Sequence, residues 1–226
     1  MKIATWNIER LKHKSSLDRI IRLCNEAKAD ILVLTESDQQ IALDYPYCFH
    51  SLTPPDRALP EGRGKLRYNP TEHRVAIFSR YPCTRYYQTF DPYTALCVEL
   101  ETEKGNLLVY GTIIGILGNR DRSFIPDLHQ QLFDFDRLIK DGHSLCVCGD
   151  FNCSFGDNYY FTQTGRNLLQ EAFRKNQMRL LTGNVPCCVD HIALSSQFVS
   201  DEDIQIQEWN LDKSLSDHKG IAVNFV

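Results

Sequence analysis

The stretch LCVCGDFN, residues 145–152, joins a buried-strand pattern to two polar side chains that could act on one ligand. After four apolar residues, Gly149 lets the backbone turn, and Asp150 and Asn152 follow. The carboxylate can take a proton from water or hold a metal ion, and the amide can donate to a phosphate oxygen. Ligands of α/β proteins bind outside the carboxyl ends of strands, so this stretch predicts a catalytic edge. The alternative is a simple turn, because Asp and Asn after Gly are common turn formers.

Polar side chains recur beside other apolar stretches. Asn7 lies near the end of the first predicted strand, Glu36 follows the run ILVLT, and Asp217 with His218 precedes the last strand. Asp190 lies within a predicted strand, where a carboxylate is costly unless it is paired or bound to a cation. Carboxylate and amide oxygens suit Mg²⁺, which keeps several waters and takes one or two protein carboxylates. The set predicts a metal-assisted reaction at a phosphoryl group, although each acid taken singly also fits a turn or a cap.

The elements that must position these groups alternate between strands and helices. Strands are predicted over 1–8, 30–35, 74–79, 94–100, 107–114, 145–152, 185–195, 204–209 and 220–226. Helices are predicted from residue 15 or 16, over about 125–140 and over about 164–176. Residues 44–67, which contain three prolines, are predicted to form a loop that could meet substrate. This alternation predicts an α/β layered domain.

Length and composition narrow the function classes. The chain has 226 residues, a formal net charge of -4 and a pI of about 6.0, which argues against a purely electrostatic nucleic-acid binder. An acidic enzyme can still act on phosphodiesters if metal ions supply positive charge. No apolar run approaches a membrane span, and the N-terminus lacks the apolar core of a signal peptide. Nine scattered cysteines without CxxC pairs predict free thiols and a cytoplasmic location. No stable protein partner is evident.

Five short motifs make the chain resemble the endonuclease/exonuclease/phosphatase superfamily. They are WNI at 6–8, TE at 35–36, GDFN at 149–152, VDHI at 189–192 and SDH at 216–218, in the order seen in that superfamily. The resemblance implies a single catalytic domain over residues 1–226. It also implies a four-layer α/β sandwich, in which two mixed β-sheets pack face to face with helices outside. The implied cofactor is Mg²⁺, or Mn²⁺ in its place.

The resemblance further implies the residues that hold metal and substrate. Glu36 is similar to the main metal ligand of the superfamily. Asn7 would contact metal-bound water or phosphate, and Asp217 would help to bind or position the metal. Arg74 stands where a small Gly or Ser commonly opens the strand. It is either a phosphate contact or a surface arginine.

The chemical step is implied in the same way. Asp150 resembles the group that orients or deprotonates the attacking water, and Asn152 resembles the holder of the phosphate or nucleophile. His218 resembles a phosphate-contacting imidazole or a general base, with Asp190 as its partner. A carboxylate on one imidazole nitrogen fixes the tautomer and raises the basicity of the other nitrogen.

Two positions depart from the superfamily pattern. Many members carry a His or Tyr at the end of the central strand, where this chain has Thr112 or Ile113. Tyr110 is expected to fall on the wrong face of that strand, and His129 is a candidate substitute. Residues 186–189 lack the large aromatic or apolar wall of abasic-site enzymes, which weakens that interpretation.

The resulting prediction is an Mg²⁺-dependent phosphodiester hydrolase, most favourably a nuclease with DNA as its substrate. Two alternatives stay open: a phosphatase for a small phosphorylated molecule or lipid head group, and a catalytically weak binding module on the same fold. The missing His or Tyr favours the binding module. Two sets of side chains could contact nucleic acid, and each could equally be structural: Arg57, Arg63, Lys65 and Arg67 in the long loop, and Tyr159, Tyr160 and Phe161 after GDFN.

Overall fold

The architecture is described by a computed structural model over residues 1–58, 64–199 and 203–225, with backbone alone at 57 and 58. The α-helices in these ranges are α1 (Leu17–Glu26), α2 (Phe124–Lys140) and α3 (Gln163–Lys175). The strands are, in chain order, β1 (Lys2–Asn7), β2 (Ile31–Asp38), β3 (Tyr47–His50), β4 (Arg57–Ala58), β5 (Lys65–Leu66), β6 (Glu72–Ser79), β7 (Cys83–Tyr87), β8 (Ala95–Thr102), β9 (Gly105–Ile113), β10 (Ser144–Asp150), β11 (Met178–Leu180), β12 (Asp190–Ser195), β13 (Ile204–Trp209) and β14 (Gly220–Phe225).

Two six-stranded sheets form the centre of the molecule. The first sheet has the order β13-β14-β1-β2-β6-β3, and the second has the order β11-β12-β10-β9-β8-β7. Each sheet contains one parallel pair, β1 with β2 and β9 with β10, and its other neighbouring strands are antiparallel. The two mixed sheets confirm the predicted sandwich. That the whole chain forms one domain stays a prediction.

Alternating side chains build the layers. Val33 of the first sheet and Val109 of the second belong to one buried cluster between the sheets. Ile20 of α1 packs on the outer face of the first sheet, and Phe135 of α2 and Phe173 of α3 pack on the outer face of the second. Buried apolar area of this kind stabilises the fold by about 25 cal/mol per Å². The rigid sandwich therefore fixes the strand ends from which polar side chains project.

Two predicted elements differ from the structure. The predicted loop over residues 44–67 contains β3 and the small hairpin formed by β4 and β5, whose sequences lack a long apolar run. The strand predicted over 185–195 begins only at Asp190. Asp190 is therefore the first residue of a strand rather than an interior one. Because β12 runs antiparallel to β10, its first residue lies directly opposite the last residue of β10, Asp150.

Gly149 is required by the close approach of β10 to β9. Its φ is +144°, and a Cβ added there would lie 2.0 Å from the carbonyl oxygen of Thr112. A side chain would displace one of the two central strands just before Asp150. The glycine therefore serves both the sheet and the catalytic edge.

We expect Gly149→Ala to lower the free energy of unfolding by about 3 kcal/mol, because the methyl group would clash with backbone atoms that have no room to move. Urea denaturation of both proteins measures the difference. Gly142→Ala is the matched control: Gly142 has a φ of +84° and no atom of the described chain within 4 Å of a built Cβ. That control carries only the left-handed backbone cost of about 1 kcal/mol. Equal losses in the two variants would contradict the clash.

Candidate active site

The predicted site residues gather where the two sheets meet at one edge of the sandwich. Asn7 ends β1 and Glu36 lies near the end of β2, both in the first sheet. Asp150 ends β10 and Asp190 begins β12 in the second sheet, where the two acids are register partners. His218 precedes β14. The site is thus shared between the sheets, and strand ends supply it from both sides.

A hydrogen bond between Asn7 and Asp150 joins the sheets. Asn7 Nδ2 donates to Asp150 Oδ2 at 3.0 Å, and both side chains are buried. The backbone N–H of Asn152 donates to Asp150 Oδ1 at 2.8 Å. The amide of Asn152 donates to the carbonyl oxygen of Ile114 at 3.0 Å. Each oxygen of Asp150 therefore accepts a bond from a fixed donor, which orients the carboxylate.

The pair formed by Asp190 and His218 also joins the sheets. His218 Nδ1 lies 2.6 Å from Asp190 Oδ2. The second oxygen of Asp190 is buried without a hydrogen-bond partner in the described chain. Because Nδ1 is engaged, Nε2 is the ring nitrogen left to face the cleft, and it lies 3.5 Å from Asp217 Oδ1. Asp190 thus fixes the ring orientation and leaves one nitrogen for a ligand.

Burial and charge shift the pKa values of these groups in a consistent pattern. Burial raises the pKa of Asp150 to about 7, with His218 opposing this shift and Asp190 adding to it. Burial alone would lower the pKa of His218, but Asp190 and Asp150 outweigh it and raise the pKa to about 10. In this environment His218 is a cation at neutral pH, which favours a phosphate-contacting role over that of a general base. Such shifts cluster at functional sites.

Glu36 is paired with a buried arginine. Arg74 Nη2 lies 3.1 Å from Glu36 Oε1, and the side chain of Arg74 is 3% exposed. The alternative of a surface arginine at position 74 is therefore wrong. The small residue expected there in the superfamily would leave the carboxylate without this cation.

Unusual backbone conformations also mark the edge. Glu36 has a φ of +51° and Asn152 a φ of +48°, both in the left-handed region that non-glycine residues seldom adopt. Such conformations cost of order 1–3 kcal/mol each and persist where the surrounding structure holds them. Glu36 adopts this conformation within β2, and Asn152 adopts it two residues after the end of β10. No sequence motif signals this geometry.

The acids present fit an open Mg²⁺ site, in which water supplies several ligands, better than a site enclosed by protein ligands. In the described ranges, no group of three or more His, Cys, Asp or Glu could hold an ion by itself. Glu36 is 19% exposed and Asp217 is 66% exposed, so both can reach solvent-borne ligands. Mg²⁺ usually keeps several waters and takes one or two carboxylates, which is the donor set offered here. Asn7 completes the predicted set, with its oxygen already accepting from the N–H of Glu9 at 2.9 Å.

A cleft of about 470 Å³ opens beside the Asp190–His218 pair. Of the two options left open for the aromatic stretch, Tyr159 and Tyr160 take the first and line the cleft, whereas Phe161 stacks with Arg166 at 3.5 Å. Two lysines that the sequence analysis missed also line it. Lys213 donates to the hydroxyl of Tyr159 at 2.7 Å, and Lys219 follows the SDH motif directly. Lys219 is already paired with Glu208 at 2.5 Å, so Lys213 is the lysine that brings positive charge to a cleft also lined by Asp190 and Asp217.

One further residue was missed, and the basic loop is only partly described. Asn119 is buried and donates through Nδ2 to the carbonyl oxygen of Asn152 at 2.7 Å, so it supports the loop that carries Asn152. The sequence feature that could have indicated this role is the position of Asn119 in a polar run after a central strand. In the long loop, Lys65 is exposed. Arg63 lies outside the described residues, as does the side chain of Arg57.

The missing His or Tyr is not replaced from a neighbouring position. Thr112 is buried and donates to Gln131 Oε1 at 2.5 Å, on the helix side of the second sheet. Tyr110 faces the same side and donates to Asp134 at 2.9 Å, as the predicted register implied. His129 is exposed on α2. Neither Tyr110 nor His129 joins the residues that line the cleft.

A family model for the endonuclease/exonuclease/phosphatase family matches residues 4–218, which include all five motifs. The chain belongs to this family. Members of the family are generally hydrolases of phosphate esters, among them nucleases and phosphatases. No curated protein matches the sequence.

Solved structures share the fold at low sequence identity. The 3′ phosphatase NExo from Neisseria, bound to a product DNA hairpin, is 17% identical with a TM-score of 0.70, over 100% of this chain and 99% of that one. An AP endonuclease from Archaeoglobus fulgidus is 14% identical with a TM-score of 0.66, over 100% and 99%. The endonuclease domain of the retrotransposon TRAS1 is 17% identical with a TM-score of 0.65, over 99% and 97%. These structures therefore share the sandwich fold of the described residues.

Proposed function

We propose that the chain is a divalent-metal-dependent phosphodiester hydrolase that acts on DNA. The observation that carries this proposal is the pairing of Asp150 with Asn7 directly beside the Asp190–His218 pair, across the junction of the two sheets. A binding module has no need of two buried acids held in register. The arrangement instead supplies an oriented carboxylate and an oriented imidazole at one cleft.

Two side chains of the chain have separate roles in an in-line attack by water. Asp150, held by Asn7 and Asn152, accepts the proton of the attacking water as its oxygen bonds to phosphorus. His218, fixed by Asp190, donates from Nε2 to a phosphate oxygen as negative charge develops there.

Glu36 and Asp217 would hold a divalent ion, Mg²⁺ or Mn²⁺, which supplies positive charge at the phosphate when bound. Arg74 and Asn7 would contact substrate. The ester oxygen leaves and takes its proton from solvent, because Thr112 is turned to the helix side.

DNA is the substrate class that the cleft and the family favour together. Lys213 supplies positive charge, and Tyr159 and Tyr160 offer aromatic surface, the combination with which proteins bind single-stranded nucleic acids. The neighbours from Neisseria and Archaeoglobus fulgidus are, by their descriptions, a DNA-bound 3′ phosphatase and an AP endonuclease.

None of the helices in the described ranges has the length and apolar character of a membrane span. The nine cysteines, all within those ranges, are free thiols, which supports the proposed cytoplasmic location.

Hydrolysis of a plasmid, an end-labelled single strand and an end-labelled duplex, each with Mg²⁺, Mn²⁺ or EDTA, tests the proposal. We expect cleavage that EDTA abolishes. The plasmid and the labelled ends separate internal from terminal cleavage. His129→Ala, at an exposed histidine of α2, is the control variant and should cleave at the normal rate.

No cleavage of any DNA in either metal, with release of phosphate from a panel of phosphomonoesters, would replace the nuclease with a phosphatase. Inactivity on both substrate classes would leave the binding module as the remaining hypothesis.

A further inference from the structure

One carboxylate joins two loops that line the cleft beside His218. Asp157 Oδ1 accepts from the backbone N–H of Tyr159 at 3.0 Å, and Asp157 Oδ2 accepts from the backbone N–H of Cys187 at 2.6 Å. Both Tyr159 and Cys187 line the cleft. The bond from Cys187 holds the pKa of Asp157 below its usual range, so the carboxylate is ionised at neutral pH. Asp157 therefore ties the loop after GDFN to the loop before β12.

The peptide between Pro186 and Cys187 is held at both of its polar groups. Lys219 donates to the carbonyl oxygen of Pro186, and Asp157 accepts from the N–H of Cys187. Cys187 has a φ of +50°, a left-handed conformation that persists where surrounding contacts hold it. The wall on this side of the cleft is therefore a fixed peptide that carries a small thiol.

The aromatic wall of the cleft is held at both ends. The N–H of Tyr159 donates to Asp157, and its hydroxyl accepts from Lys213 Nζ at 2.7 Å. The loop is anchored on α3, because Arg166 donates to the carbonyl oxygens of Ser154 and Asp157. Tyr159 nevertheless stays 49% exposed. A ring restrained in this way has little freedom left to lose when a ligand stacks on it.

The carboxylates of the cleft lie against His218. Asp190 is bonded to its Nδ1, and Asp217 Oδ1 lies 3.5 Å from its Nε2. The cleft measures about 470 Å³, within the range of pockets that hold one small molecule. The aromatic ring and the small thiol line the same space. A flat, neutral ring suits these walls, and a nucleobase is such a ring.

We infer that Asp157 is a positioning residue for the substrate: it holds Tyr159 and Cys187 at a separation that admits one unpaired nucleotide, with its base on Tyr159. The inference rests on the proposed function and names the form of DNA that the site takes. A base within a duplex would have to leave its partner and its stacked neighbours before it could enter. Asp157 takes no part in the chemical step, so its removal weakens substrate binding and spares kcat.

Steady-state cleavage of a single strand and of a duplex with the same sequence measures this preference. The unaltered protein should have a kcat/KM about tenfold higher for the single strand. In Asp157→Ala and in Tyr159→Ala, KM for the single strand should rise about tenfold while kcat stays within about threefold. The double variant should match Tyr159→Ala, because Asp157 acts through the ring. Tyr159→Phe keeps the ring and should lose no more than about threefold in kcat/KM.

Stacking can also be measured without turnover. A single strand that carries 2-aminopurine, a base whose fluorescence falls when it stacks on an aromatic ring, is titrated with Asp150→Asn protein in Mg²⁺. Asp150→Asn is expected to bind DNA and cleave it very slowly, so the titration reports binding alone. Binding should quench the fluorescence, and adding Tyr159→Ala to the same protein should remove the quenching.

Two control variants make the result specific. Tyr86→Ala removes a tyrosine of β7 that is 60% exposed. Asp91→Ala removes a carboxylate that accepts from the N–H of Tyr93 at 2.9 Å, the same kind of bond that Asp157 accepts from Tyr159. Neither Tyr86 nor Asp91 belongs to the described residues that line the cleft, so both variants should keep the normal KM and the normal preference.

An equal kcat/KM for the two forms of DNA would overturn the inference and leave a nuclease without this preference. An unchanged KM in Tyr159→Ala, which alters an exposed side chain and should fold, would do the same, as would binding without quenching. Quenching by a protein whose unaltered form hydrolyses no phosphate ester would instead refute the proposed function and leave the inference standing.

Discussion

Asp150→Asn is expected to lower kcat/KM for DNA about a thousandfold while DNA binding stays within about threefold of the unaltered protein. The two side chains have nearly the same shape, but the amide cannot take a proton from water, and general-base contributions are typically 10²–10⁴-fold. Asp150 has 3% of its surface exposed and accepts from Asn7 of β1 and from the backbone N–H of Asn152, so its carboxylate is held in one orientation. The loss should therefore fall on kcat.

Single-turnover cleavage and fluorescence anisotropy of labelled DNA separate the two effects. Asp134→Asn is the matched control, because Asp134 is also a buried acid that accepts hydrogen bonds, from Tyr110 at 2.9 Å, from the N–H of Phe90 at 2.7 Å and from Arg137 at 3.1 Å. It lies on α2, and its substitution should reduce stability without changing kcat. A normal rate in Asp150→Asn would refute the proposed mechanism.

His218→Ala and Asp190→Asn are expected to lower kcat by similar large factors, about a thousandfold and about a hundredfold. The double variant should be no slower than His218→Ala alone. Asp190 acts through the ring at 2.6 Å, so removing the ring leaves it nothing to orient. Residues that act as a unit show this non-additivity in their kinetics.

Nitrogen NMR of the His218 ring supplies a readout that general destabilisation would not move. In Asp190→Asn, the pKa of His218 should fall from its raised value, because the carboxylates that outweigh burial are its cause. His191→Gln is the control on the same strand, since His191 is buried and faces Thr182 at 2.9 Å on the other side. Additive losses in the double variant would show that Asp190 and His218 act independently.

The resemblance carried by five short motifs allowed the sandwich to be predicted, and polar residues at the ends of apolar runs indicated that several of them would gather at one edge. Asp150, Asn152 and His218 were predicted in this way and lie at that edge, although Gly149 continues strand β10 instead of turning the backbone. Their catalytic roles stay predictions. The alternation of apolar side chains also gave the register that turns Tyr110 away from the site.

The remaining features depend on tertiary contacts that no local pattern encodes. Arginine is usually exposed, so the sequence did not predict that Arg74 is buried. Its contacts with Glu36 and Tyr68 account for that burial. The pairing of Asp190 with Asp150 depends on where β12 begins, and strand boundaries are poorly marked in an apolar run. The strands within 44–67 are short and polar, so periodicity could not distinguish them from a loop.

The division of the site between two sheets makes the activity a reporter of the whole fold. Asn7, Glu36 and His218 come with one sheet and Asp150 and Asp190 with the other, and the bonds that align them span the gap. Neither half of the chain contains all of these residues. Two fragments divided between β9 and β10 and expressed separately should therefore both be inactive. Each piece holds strands of both sheets, so mixing them would restore turnover only if β10 paired again with β9 and β14 with β1. Enzyme rate in such a complementation assay would thus measure the reassembly of both sheets.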